Sequence, residues 1–445
     1  MEAVIIKAAQ LVVSLSLLVI LHEFGHFLFA RLFKTRVEKF YLFFDPWFAL
    51  FRTKKGETEY GIGWLPLGGY VKIAGMIDES MDKEAMKLPP KDYEFRSKKA
   101  WQRLLIMIGG VMMNFILALV IYIGVLYAWG ESYLPTANAK YGIVVNEVGE
   151  QIGLRTGDKI LSVDNKPVEI FMKIIPTVLL DKAKTIQVER NGQKMDIEIT
   201  DEDIAALIKA KKETIMPRML FNFVIADFTK SSVAKEAGLQ KGDHIMGIDS
   251  LKFVYHDEFQ KYIIGHRNED VMVQVTRNGT LLDIPVKLDD TGFLGIYNEP
   301  SALDDFEYKT IRYGFFESIP AGIKRGFTTT KDYLKQFKLI FSPKTKAYES
   351  LGGFIAIGKI FPGVWDWSSF WTMTALLSII LGVMNLLPIP ALDGGHVMFL
   401  IYEMVTGRKP GDKFLEYAQI TGMMILLALV LYANGNDIFK LFTGK

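Results

Sequence analysis

Oily and polar stretches alternate along this chain on a long scale. Three apolar runs, Val4–Ala30, Leu104–Trp129 and Phe370–Leu387, are long enough to cross a bilayer as helices, which takes about 20 residues. A fourth, Ala418–Tyr432, reaches that length with flanking residues such as Phe414 and Leu415. The first run reads as a retained helix and not a cleaved leader. Its basic residues follow the apolar stretch, it holds two histidines and a glutamate, and no small-x-small site ends it. The expected layout is a polytopic α-helical membrane protein of about four transmembrane helices, at 1–33, 104–130, 370–397 and 414–433.

Lysine and arginine orient these helices. Arg31, Lys34, Arg36 and Lys39 follow the first, and Arg96, Lys98, Lys99 and Arg103 lead into the second. By the positive-inside rule the segment 34–103 is cytoplasmic. Both termini and the large region between the second and third helices then lie on the outer side. Arg408, Lys409 and Lys413, between the last two helices, agree.

That large region repeats itself. "GLRTGDKILSVD" (Gly153–Asp164) matches "GLQKGDHIMGID" (Gly238–Asp249), and "QVERNGQKMDIEI" (Gln187–Ile199) matches "QVTRNGTLLDIPV" (Gln274–Val286) at nearly the same interval. Each Asn-Gly interrupts an alternation of apolar and polar residues, the strongest short signal for a hairpin. Two copies of one small β-rich domain are expected, at 134–215 and 216–300, with strand edges near Tyr141–Val145 and Leu220–Ile225. From Asp304 to Phe341, apolar residues recur at roughly helical spacing with Lys and Arg between them. This predicts one or two amphipathic helices within 301–345 at the outer membrane surface, followed by a connecting segment, 346–369.

Composition narrows the chemistry. Half of the 445 residues are hydrophobic, the formal net charge is +2, and there is no cysteine. So small a charge, with no long basic run, gives no sign of a nucleic-acid partner. Disulfides, thiolate nucleophiles and cysteine zinc sites are excluded outright.

Against this background the first apolar run contains "LLVILHEFGHFLFAR", Leu17–Arg31. An ionised group at mid-membrane costs at least a few kcal/mol, so such residues are functional candidates by default. His22 and His26 lie about one turn and about 40° apart on a helix, which puts both imidazoles on one face. That spacing suits two ligands of one zinc ion, with Glu23 beside them as general base toward a bound water. A catalytic zinc needs a further protein ligand and an open position. His244, His256 and His266 belong to the second repeat, across the membrane by the orientation above. The remaining candidates lie in "NLLPIPALDGGH", Asn385–His396, where Asp393 and His396 compete. Pro388 and Pro390 break the helix there, so a loop can turn a side chain inward at membrane depth.

The combination of "HEFGH", "LPLGGYVKIAG" (Leu65–Gly75), tandem domains resembling the circularly permuted bacterial PDZ type, and "NLLPIPALDGGH" resembles the site-2 protease family of intramembrane zinc metalloproteases over nearly the whole chain. The resemblance implies Zn2+ held by His22, His26 and Asp393, with Glu23 as catalytic base and Asn385 beside the site, contacting substrate or oxyanion. It extends the substrate-contacting candidates to Pro388 and Pro390 in the loop. In the cytoplasmic segment Thr58–Gly75 it adds Gly68, Gly69 and Tyr70, part of a β-hairpin dipping toward the membrane that offers a sheet edge to an unwound substrate. Bacterial members of this type cleave anti-sigma factors and remnant signal peptides in the inner membrane. Single-span membrane proteins, already trimmed, are therefore the expected partners, with the PDZ domains periplasmic and filtering out untrimmed chains. The enzyme is expected to act as a monomer. The sequence departs from the family's habits at "FFDP" (Phe43–Pro46), "GVMMN" (Gly110–Asn114) and "GGFI" (Gly352–Ile355), none of which includes a proposed ligand. A zinc transporter or sensor, or an inactive PDZ scaffold, would be the alternative; neither accounts for Glu23 between the two histidines.

Overall fold

The computed structural model describes residues 2–66, 68–76, 89–210, 213–299, 306–340, 342 and 352–443. These form two compact units: 1–130 with 312–337 and 351–445, and 131–311 with 338–350. Parts of the expected amphipathic and connecting segments, 301–305 and 343–351, lie outside the described residues.

In the first unit four helices are long and apolar enough to cross a membrane, among the described residues. The first, Glu2–Leu32, and the second, Ala100–Trp129, meet backbone to backbone. A Cβ on Gly25 would stand 2.2 Å from the Gly109 carbonyl oxygen, and one on Gly109 would stand 2.7 Å from that of Gly25. In lipid no hydrophobic force drives helices together, so small residues that permit this approach decide where they touch. The third helix, Trp367–Asn385, packs Ala375, Ile379 and Val383 against Ala118, Ile121, Tyr122 and Val125 of the second.

The third span, expected at 370–397 with a break at its prolines, is two helices. The helix stops at Asn385, and a separate helix, Asp393–Thr406, begins after a loop that contains both prolines. Proline removes the amide donor that would continue the helix, and Ala391 takes a left-handed φ of 88°. Gly394 and Gly395 tuck beneath the loop, where a Cβ would overlap the Leu387 and Ile389 carbonyl oxygens. The last helix, Asp412–Thr443, outruns the expected 414–433 at both ends. Of the one or two amphipathic helices expected, the structure has one among the described residues, Phe315–Ile340. It runs antiparallel to the second membrane helix: Phe315 meets Tyr127, Gly322 fits against Ile123, and Gly326 fits against Leu119. Two glycines on one face permit this lengthwise contact, in place of a helix lying only at a surface.

Between the first two helices lies a four-stranded sheet. Its strands are β1 (Val37–Leu42), β2 (Phe44–Lys55), β3 (Thr58–Leu65) and β4 (Tyr70–Ile73), in the order β2-β3-β1-β4. β1 and β3 are parallel, whereas β4 pairs antiparallel with β1 and, among the described residues, forms one edge. The sequence reading located strands only within 58–75 and missed β1 and β2; the β2 residues Trp47, Phe48, Leu50 and Phe51 are exposed.

The second unit contains two hydrophobic cores, one built from residues 134–215 with Phe306 and one from 223–294. The matched sequences occupy matched places. Both Asn-Gly pairs, Asn191-Gly192 and Asn278-Gly279, take positive φ at both positions and close two-residue hairpins. In the first half Arg190 grips the buried Asp158 at 2.7 Å and donates to the Gly153 carbonyl; Arg277 does the same with Asp243 and Gly238. The strand edges differ from expectation. Ile143–Val145 pairs with Ile215–Pro217, and Phe223–Phe228 lies between His244–Ile248 and Ile296–Asn298. Short strands from the end of each half satisfy backbone groups expected to stand open.

Burial pushes the Asp243 carboxyl up, but its bonds from Arg277 and the Gln240 amide outweigh this and hold it below the usual carboxylate range. The stabilisation is therefore present at neutral pH and is lost as pH falls through that lowered value. Replacing Arg277 by Ala strands a buried carboxylate, at a cost of about 3 kcal/mol. Amide exchange on the full chain should speed up across 270–277 and 244–248 and leave 185–190 unchanged.

Candidate metal centre

His22 and His26 are both 7% exposed, on the face of the first helix that packs against the second. Gly110 makes room for them: a Cβ there would stand 2.4 Å from His26 Nε2 and 2.7 Å from His22 Cε1. The break after Asn385 brings in Asp393 as the first residue of its helix. Its Oδ2 lies 3.2 Å from His22 Nε2 and 3.3 Å from His26 Nε2, and the two Nε2 atoms are 3.3 Å apart. His396 lines the same cavity, but among the described residues the cluster able to hold a metal is His22, His26 and Asp393.

This arrangement fits a zinc ion. Three lone-pair donors converge on one point, and Asp393 Oδ2 is buried with no hydrogen-bond donor directed at it. Without a cation such an arrangement is repulsive. Zinc–ligand bonds of about 2.0–2.2 Å set tetrahedral neighbours about 3.3–3.5 Å apart, close to the separations observed.

The other ring nitrogens fix the rings. His26 Nδ1 donates to the Ile106 carbonyl at 2.8 Å, which leaves Nε2 with its lone pair. His22 Nδ1 is 3.0 Å from the Asn114 carboxamide. We assign that amide with its oxygen toward Nδ1, because the opposite orientation leaves Asn114 Oδ1 buried and unpaired and puts the ring proton on Nε2. Asn114 is held in turn, as its main-chain carbonyl accepts from Ser378 Oγ at 2.7 Å. Partners of this kind orient a ligating histidine and raise its basicity. Sequence reasoning noted Asn114 only as part of "GVMMN". A polar residue amid an apolar run was the available signal, the one already used for the histidines.

A cavity of about 440 Å³ opens onto this cluster, lined by His22, Glu23, His26 and Asp393 on one side and by Phe44 and Gly69–Ile73 on another. Gly69 comes so near the first helix that a Cβ would meet Val19 at 2.7 Å and Glu23 Cγ at 3.5 Å. Tyr70 stacks between Tyr41 and Phe44 and donates its hydroxyl to Asp45 at 2.8 Å. The Asn385 carboxamide lies 3.3 Å from His22 Nε2. Asn385, Pro388, Pro390 and Gly68 are not among the lining residues: the prolines shape the loop, the Pro390 carbonyl lies against Gly422, and Gly68 lies against the Phe44 ring.

Membrane-spanning helices around a two-histidine, one-carboxylate cluster beside a glutamate define the class of membrane metallopeptidases. The model of peptidase family M50 matches residues 10–429, and the chain belongs to that family. It is 30% identical to the "Regulator of sigma E protease" of Haemophilus influenzae, over 97% of this chain and 98% of that one. With the "Regulator of sigma-E protease RseP" of Escherichia coli K12 it shares 28% identity, over 97% and 98%. A Rickettsia conorii protein provisionally named a zinc metalloprotease is 27% identical over the same shares. The chain is thus a multi-pass membrane zinc metalloprotease, of the family used in regulated intramembrane proteolysis.

Gly110→Ala drives a methyl group into both imidazoles, and Asn114→Ala frees the His22 ring. Each should weaken zinc binding about 10–100-fold, the usual cost of disturbing the groups that orient a ligand. Zinc retained after dialysis against graded chelator measures this.

Proposed function

We propose that this protein cleaves transmembrane segments of already trimmed single-span membrane proteins, with His22, His26 and Asp393 as zinc ligands and Glu23 as the catalytic base. The observation that carries this reading is the convergence of the three ligand atoms, all within 4.8 Å of one another, on the wall of a cavity that Glu23 also lines.

Bound zinc supplies Lewis acidity and lowers the pKa of water toward about 7. Glu23 takes the proton of the attacking water and delivers it to the leaving amide nitrogen. Asn385, at the end of its helix, offers its side-chain N–H to the substrate carbonyl. A transmembrane substrate must first be unwound, and its freed backbone groups need new partners. β4 supports a role as that partner: Gly69–Ile73 line the cavity, and among the described residues β4 is the edge strand of its sheet. Tyr70 and Gly69 sit on this edge, with Gly68 leading into it. Pro388 and Pro390 contribute by shaping the loop that presents Asp393.

The repeated halves at 134–215 and 216–300 support the reading of tandem PDZ domains through their shared turn, ion pair and hairpin. Placed on the periplasmic side of the bacterial inner membrane with both termini, they would exclude substrates that still carry bulky outer domains. The two relatives from Haemophilus influenzae and Escherichia coli, named for regulation of sigma E, support anti-sigma factors as one substrate class, with signal-peptide remnants as another.

The test is cleavage of a tagged single-helix substrate by purified protein. Glu23→Gln should lower the rate about 10²–10⁴-fold, the usual range for loss of a general base, with zinc content unchanged. Normal cleavage by this variant would overturn the mechanism. Removal of residues 134–300 should let untrimmed substrates be cut; a persisting need for trimming would remove the filter.

A further inference from the structure

The second membrane helix contributes no ligand, yet its residues touch both histidines of the cluster. Ile106 accepts from His26 Nδ1, and the Asn114 carboxamide, turned as assigned above, accepts from His22 Nδ1. One turn before Ile106 stands Arg103, 7% exposed, with Nη2 2.5 Å from Glu403 Oε1 and Nε donating to the Lys98 carbonyl at 3.0 Å. Glu403 lies on the helix that Asp393 begins.

That helix needs an external reference. It is severed from the preceding membrane helix by the loop after Asn385, so no continuous hydrogen-bond ladder sets its depth or rotation. Nearer Asp393, Val397 and Leu400 make apolar contacts with Ile106 and Met107 of the second helix. Apolar contacts within lipid resist sliding weakly, whereas a buried, directional ion pair has one geometry that satisfies it. A ligand carboxylate must be held within about 0.5 Å to share a metal with two imidazoles.

We propose that Arg103 and Glu403 are positioning residues for the metal centre, fixing the register of the Asp393 helix on the second membrane helix so that one helix aligns all three ligands. This rests on the ligand assignment made above. In a merely structural role the pair would hold two helices together without setting the geometry at the metal.

The probes are zinc and cobalt alone, added to the full-length metal-free protein. Arg103→Met should weaken zinc binding about 10–100-fold in chelator competition, as loss of a ligand-orienting contact does. It should also alter the visible absorption bands of the cobalt-loaded protein, which report coordination geometry. The double variant Arg103→Met/Glu403→Met removes the stranded charge. It should recover thermal stability and keep the zinc defect. Glu403→Asp, which shortens the reach, should weaken zinc less than Arg103→Met does. Wild-type zinc affinity and cobalt bands in Arg103→Met, or in the double variant, would overturn the proposal. Asp393→Asn separates this from failure of the ligand assignment. Wild-type affinity in Asp393→Asn sinks the assignment itself. A large loss there beside wild-type affinity in Arg103→Met sinks only the positioning role.

Discussion

The contact at Gly25 and Gly109 is the constraint on which the site depends. Where two membrane helices touch through their backbones, the second helix comes close enough for its Ile106 carbonyl and its Asn114 side chain to reach the imidazoles. Gly110 leaves the pocket in which those rings stand. A larger residue at any of these positions would move the helices apart, and the histidines would lose their orienting partners before losing each other. On the proposed ligand set, the metal chemistry is governed by how closely two main chains approach.

The four-stranded sheet and the loop after Asn385 solve related problems. Both bring irregular or edge backbone close to the metal cluster. Such backbone is tolerated at membrane depth only inside protein or beside water, and here it borders the cavity. Phe43 and Trp47 take left-handed φ at the start of β2, and the Trp64 indole donates to the Pro46 carbonyl to hold that bend. The stack of Tyr41, Tyr70 and Phe44 then carries rigidity from the sheet to its edge. A stiff edge is suited to imposing an extended shape on a segment that prefers to coil.

Much of this was legible in the residues, for definite reasons. Charged and imidazole groups in an apolar run are expensive, so His22, Glu23 and His26 stood out, and the absence of cysteine left few third ligands. Asn-Gly pairs and Gly-Asp turns have local geometry strong enough to reveal the repeat. Asn114, Arg103 and the long strand β2 were not legible, because their roles arise only once distant helices or strands meet. Arg103 looked like a topogenic charge, and nothing local marks its partner Glu403. The strands covering Ile143–Val145 and Phe223–Phe228 come from segments far downstream, a pairing that alternation of side chains does not encode.

The placement of Asp393 has a consequence for biosynthesis. Its helix is made after the first two membrane helices, both repeats and the long amphipathic helix. On the proposed ligand set, a ribosome-bound chain carries the histidine pair for most of its synthesis but lacks the carboxylate that completes the centre. Proteolytic competence then arises only after both histidines, the two repeats and the amphipathic helix have been made, so the centre is completed long after its first two ligands exist.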